Sequence, residues 1–130
     1  MKSTCHTDNG GDQYWYADAG EELVLHREDG PAVVESDGYE EWRMNGVLHR
    51  IGGPAMTGVN GEQRWIQHGV YHREDGPAII KATGEKQWFI RGIQVDPIVH
   101  FIRRGGEIPV DNSLIPRIIH VLKQRIGKAK

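Results

Sequence analysis

Three histidine–arginine pairs, His26-Arg27, His49-Arg50 and His72-Arg73, recur at intervals of 23 residues. Imidazole serves as a general base or metal ligand near neutral pH, and guanidinium is a forked donor for carboxylates and phosphates. Each chemistry needs its own geometry. Equivalent positions in neighbouring hairpins lie two strands apart, about 9–10 Å. Zinc holds nitrogen ligands at about 2.0–2.1 Å, so consecutive histidines of such a ladder cannot share an ion. The chain has no phosphate loop, nucleophile elbow or Ser-His-Asp spacing. Its paired acids, Glu28-Asp29 and Glu74-Asp75, recur with the repeat and read as parts of it. The expectation is a chain with no catalytic residues, no metal and no cofactor.

The pairs belong to a larger unit. His-Arg-Glu-Asp-Gly-Pro-Ala occurs at 26–32 and again at 72–78, with His-Arg-Ile-Gly-Gly-Pro-Ala at 49–55. Trp42, Trp65 and Trp88 keep the same interval, as do Gly46, Gly69 and Gly92. A fixed period of this length marks a tandem array, whose function lies on a repeated surface.

Each unit reads as a β-hairpin. Pro31–Glu35 is a short β-type run, Ser36-Asp37-Gly38 a turn, Tyr39–Met44 a second strand, and Asn45-Gly46 a strong turn dipeptide. Successive hairpins are expected to pair edge to edge, with the tryptophans stacked along one side to hold neighbours in register. Gln13-Tyr14-Trp15-Tyr16 resembles the tryptophan strand once more. Residues 1–12 read as a flexible N-terminal leader, and residues 13–96 as the array. From residue 97 the period turns helical: Asp96-Pro97 opens a short helix, and Asn112-Ser113 opens a second, amphipathic one through Ile115, Ile118, Ile119, Leu122 and Ile126. The predicted fold is mainly β with C-terminal α: an antiparallel β-meander of 23-residue hairpins capped by two short helices, 97–130.

Charge divides along the same line. Residues 1–96 hold 9 Lys/Arg against 16 Asp/Glu, and residues 97–130 hold 7 against 2. An acidic array with a basic tail points to contact between the two, or to separate partners for each. Cys5 is the single cysteine, and no apolar run approaches the roughly 18 residues of a bilayer span. A cytoplasmic location is expected, with membrane association disfavoured.

With these features, residues 13–96 resemble MORN repeats, the 23-residue β-hairpin units named for membrane occupation and recognition. The shared elements are the period, a tryptophan strand ending in Asn45-Gly46, and Gly-x-x-His from Gly46 to His49 and from Gly69 to His72. The His-Arg-x-x-Gly-Pro-Ala form is similar to variant repeats in small proteins of phages and large DNA viruses. Arg27, Arg50 and Arg73 stand where the usual repeat has glycine, so lipid binding is not carried over. The resemblance implies a non-enzymatic interaction protein, such as a phage-encoded factor that binds and blocks a host defence protein in the host cytoplasm.

The site expectations follow from the ladder. In the local reading, each histidine caps turn backbone and each arginine pairs with neighbouring acids, as Arg27 with Asp29 and Arg73 with Asp75. In the functional reading, Arg27, Arg50 and Arg73 grip a partner together with His49 and Ile51. The middle copy stands apart because Ile51-Gly52 replaces Glu-Asp. Either the helical tail covers Ile51, or Ile51 is an apolar anchor at the centre of a binding edge. A second candidate surface is Arg117, Lys123 and Arg125. The partner is expected to be a protein. A phosphate, nucleotide or nucleic acid on the arginine ladder is disfavoured by the acids beside it, and a homodimerisation scaffold is the remaining alternative.

Overall fold

The computed structural model describes residues 1–103 together with Gly105, His120 and Lys123. In chain order the strands are β1 (Ser3–Thr7), β2 (Gln13–Asp18), β3 (Leu23–Leu25), β4 (Val33–Val34), β5 (Glu40–Glu41), β6 (Arg43–Met44) and β7 (Val47–Leu48). They continue with β8 (Met56–Thr57), β9 (Gln63–Arg64), β10 (Ile66–Gln67), β11 (Val70–Tyr71), β12 (Ile79–Ile80), β13 (Lys86–Ile90) and β14 (Ile93–Val95), before α1 (Pro97–Arg103). The main sheet runs β1-β2-β4-β5-β8-β9-β12-β13-β14, every pair antiparallel. This is the expected meander, closed by a short helix.

Each unit makes two hairpins rather than one. The tryptophan strand bends at Trp42 and at Trp65. Its first half stays in the main sheet, while its second half forms a separate two-stranded pair, β6 with β7 or β10 with β11. The second hairpin turns through residues with positive φ, Asn45 (52°) and Gly46 (81°), repeated at His68-Gly69 and Arg91-Gly92. Paired positive φ values suit the twist of two-residue hairpin loops. These glycines also sit against the previous repeat: a Cβ at Gly69 would lie 3.2 Å from Val47, and its N–H donates to Leu48 O at 2.9 Å.

The core is made of small residues. Ala32, Ala55 and Ala78 are fully buried. Each joins two tryptophan strands: Trp42 N–H donates to Ala55 O at 2.7 Å, and Ala55 N–H donates to Arg64 O at 2.9 Å. Val33, Ile66 and Ile79 are also buried. Beside the tryptophans in sequence, Arg43 pairs with Glu41 at 2.7 Å, and Arg64 with Glu62 at 2.6 Å and the Tyr71 hydroxyl at 2.5 Å.

Two expectations are corrected. Residues 1–12 are not a leader without regular structure, because β1 pairs with β2 along its whole length, from Ser3 opposite Ala17 to Thr7 opposite Gln13. Without it the outer edge of β2 would present a row of unpaired backbone groups. The turn between them is held by Asp8, whose Oδ1 accepts from Gly10 N and Asp12 N. Among the described residues no tryptophan stacks on another. Arginines lie over three of them instead.

The first helix forms where Asp96-Pro97 places it. Asp96 Oδ1 accepts from Ile98 N at 2.8 Å, satisfying an N–H that the helix leaves unpaired. The second helix expected from Asn112-Ser113, with its apolar stripe through Ile126, falls outside the described residues.

Candidate functional site

Each His-Arg-x-x-Gly-Pro-Ala segment is a loop folded back on the tryptophan of its own repeat. The histidine N–H bonds that tryptophan's carbonyl, His49 N to Trp42 O at 3.0 Å, with the same bond at His26 and His72. The ring then reaches forward. His26 Nδ1 accepts from Asn45 N at 2.8 Å, His49 Nδ1 from His68 N at 2.9 Å, and His72 Nδ1 from Arg91 N at 3.0 Å. These donors are the left-handed residues of the next repeat's turn. The ladder of histidines is thus a set of clasps between repeats, each cap lying 19 residues onward.

The arginines are packed as well. Their Cζ atoms lie 4.0, 3.9 and 3.7 Å from the ring centroids of Trp15, Trp42 and Trp65, for Arg27, Arg50 and Arg73 respectively. Their Nη1 atoms donate to the carbonyls of Pro31, Pro54 and Pro77 at 3.1, 3.2 and 3.1 Å. This explains the glycine of Gly-Pro-Ala: a Cβ at Gly30, Gly53 or Gly76 would come within 2.5–2.8 Å of the arginine Cζ. Arg27 and Arg73 complete their shells with Asp29 and Asp75, Nε to Oδ1 at 3.1 and 2.9 Å. Their side chains are only 24% and 18% exposed, which leaves little guanidinium for an outside phosphate.

The outer histidines have acids on their second nitrogen. Nε2 of His26 and of His72 each lie 3.6 Å from the Glu28 and Glu74 carboxylates, just beyond hydrogen-bond length. His49 faces no such acid among the described residues, because Ile51 stands in the glutamate's place. Its neighbour is the His68 imidazole, ring centroids 4.5 Å apart. Burial of the ring first, and then His68, push the His49 pKa below its ordinary value.

The middle loop therefore differs from its flanks in three ways. Ile51 is 75% exposed, and the helical tail expected to cover it lies outside the described residues. Gly52 takes a φ of +86° with nothing within 4 Å of where its Cβ would be. Neither Arg50 Nε nor His49 Nε2 has a carboxylate partner among the described residues. Next to Gly52 a cavity of about 710 Å³ opens toward the third loop, lined there by Trp65, Gln67, His72, Arg73 and His100 among others. The Trp65 indole N–H is buried and has no hydrogen-bond partner among the described residues.

Of the predicted site residues, His49, Arg50 and Ile51 come together in the middle loop, and Arg27 and Arg73 occupy the matching place in the outer loops. On the second candidate surface, Lys123 is exposed, while Arg117 and Arg125 lie outside the described residues. Sequence reasoning missed His68, whose ring lies against His49. It also missed His100, which is buried on α1 and donates from Nε2 to Arg73 O at 2.8 Å. His68 carried a signal: it occupies the position of Asn45 in the preceding turn. Among the described residues no three metal-ligating side chains converge, and no helix is long and apolar enough to cross a membrane. Comparisons of the chain with protein-family models, curated proteins and solved structures return no match.

Proposed function

We propose that this protein is a non-enzymatic protein–protein interaction module that binds its partner through the loop edge of the array, centred on His49–Gly52. The observation that carries this reading is the contrast along the ladder. In the outer loops the arginines are occupied by tryptophan, proline carbonyl and aspartate. The middle loop holds Ile51 out to solvent beside Arg50 Nε and His49 Nε2, which among the described residues have no acid of their own. An apolar side chain ringed by polar groups is the usual centre of a protein interface. The MORN-like character of the repeat and its likeness to repeats of phage and large-DNA-virus proteins extend the proposal to a factor that binds and blocks a host protein.

The test starts from a partner recovered from host lysate and measures its affinity for variants. Ile51→Glu should weaken binding by about 2 kcal/mol or more, the scale of an interface hot spot. Glu28→Gln and Glu74→Gln in the outer loops should change it far less. Equal effects at all three loops would move the interface away from this edge.

A further inference from the structure

The middle loop lacks the two carboxylates of its sister loops, yet keeps the arginine and histidine that face them there. In the outer loops Arg27 Nε and Arg73 Nε each donate to an aspartate, at 3.1 and 2.9 Å, and each histidine Nε2 faces a glutamate at 3.6 Å. In the middle loop these positions are Gly52 and Ile51. His49 Nδ1 accepts a backbone N–H at 2.9 Å, which places the proton of the neutral ring on Nε2 and makes that nitrogen a donor. Arg50 keeps its seat on Trp42 and its bond to Pro54 O, the same two contacts that seat Arg27 and Arg73, and the residue in the place of their aspartate is Gly52, with open space around its Cβ position.

We propose that this gap receives an acidic side chain of the protein partner, an aspartate or glutamate flanked by apolar residues, which takes the place that Glu28-Asp29 and Glu74-Asp75 fill in cis. This rests on the reading of the edge as a protein interface and names the chemistry of what docks there. In the outer loops the two donors face separate carboxylates, arginine Nε an aspartate and histidine Nε2 a glutamate; a carboxylate in the aspartate's place would take a charge-assisted bond from Arg50 Nε, stronger than a neutral one. Ile51, exposed beside them, supplies the apolar contact. The surroundings select against polyanions: Glu74 and Asp75 line the cavity beyond Gly52, and residues 1–96 carry an excess of acids. A single carboxylate shielded by apolar neighbours meets that field with one charge, whereas a phosphate or a nucleic acid meets it with more.

The test is an NMR titration of the labelled 130-residue chain with the peptide acetyl-Leu-Asp-Leu-amide and its uncharged analogue acetyl-Leu-Asn-Leu-amide. The acidic peptide is expected to shift the Arg50 Nε–H and His49 Nε2 resonances and to leave those of Arg27 and Arg73 in place. The analogue should move neither, and Ile51→Glu, which supplies an acid in cis, should suppress the response. Equal shifts with both peptides, no shift with either, or matching shifts at all three arginines would overturn the proposal. So would an equal response to inorganic phosphate. Shifts that grow with protein concentration alone would put a second copy in the loop and also overturn it. Ile51→Ser separates this idea from the broader one. If it abolishes partner binding while the two peptides behave alike, the interface stands and the carboxylate does not.

Discussion

The guanidinium of Arg73 lies 3.7 Å from the centroid of the Trp65 ring and is clamped there by Pro77 O and Asp75. The same clamp holds Arg27 on Trp15 and Arg50 on Trp42, with Arg50 lacking the aspartate. Each His-Arg loop is thereby fastened to the tryptophan strand that precedes it, and each His ring to the turn that follows. The repeated motif is a device for joining one hairpin to the next.

Gly53→Ala should expel the arginine from this clamp. The new Cβ would stand 2.5 Å from Arg50 Cζ, so the guanidinium must leave its ring and its carbonyl. Losing one cation–π contact and one hydrogen bond costs about 1–3 kcal/mol. Urea denaturation measures it, and the loss should shrink when Arg50→Ala is already present. A penalty unchanged by Arg50→Ala would place the clash elsewhere.

Trp65 and Trp88 should differ. Trp65→Ala removes the platform of Arg73 and should cost about 3 kcal/mol, the low end for aromatic truncation, because the ring is half-buried. Among the described residues no arginine lies over Trp88, because Asp96 follows Val95 where the His-Arg pair would come. Trp88→Ala should therefore be milder, by about the 0.5–2 kcal/mol of a cation–π contact. Equal losses in thermal melts would remove the arginine from the explanation.

His49 should make stability depend on pH. Its Nδ1 accepts the His68 N–H only when that nitrogen is unprotonated, and burial followed by His68 lowers its pKa in the fold. The unfolded chain, with histidine near 6.5, binds the proton more readily. The contribution is thus fully present above about pH 6.5 and is lost as pH falls through the lower folded value. The urea midpoint should drop between about pH 7.5 and about pH 5.5. His49→Asn keeps an acceptor near the position of Nδ1 and has no proton to gain, so its profile should be flatter. The same slope in both proteins would exonerate His49.

Arg91→Asn should stabilise the protein. Arg91 is exposed and holds a φ of 50° at the head of its turn, where the first copy of the repeat has Asn45. Asparagine tolerates this conformation better than a long side chain, and turn corrections of this kind yield roughly 0.5–1 kcal/mol. A lower melting temperature in the variant would show that the arginine side chain contributes more than its backbone costs.

By itself the sequence determined the period, the antiparallel meander, the Asn-Gly type of turn and the helix start at Asp96-Pro97. Each of these is set by neighbours in the chain: alternation, positive-φ residues, and a side chain that caps a nearby N–H. It also pointed to the local pairs of Arg27 with Asp29 and Arg73 with Asp75. Only the tertiary structure decided what meets across repeats. That Ser3–Thr7 is a strand depends on the free edge of β2, and nothing in its own residues marks it as part of the array. That tryptophans carry arginines and not one another depends on the loop folding back after each turn, which brings residues 8 to 12 apart face to face. The histidine clasp spans 19 residues, and the glycine of Gly-Pro-Ala makes sense only once a guanidinium fills its place. The exposure of Ile51 was undecidable in one dimension for the same reason: a lone apolar residue in a turn is core or anchor according to what the fold lays over it.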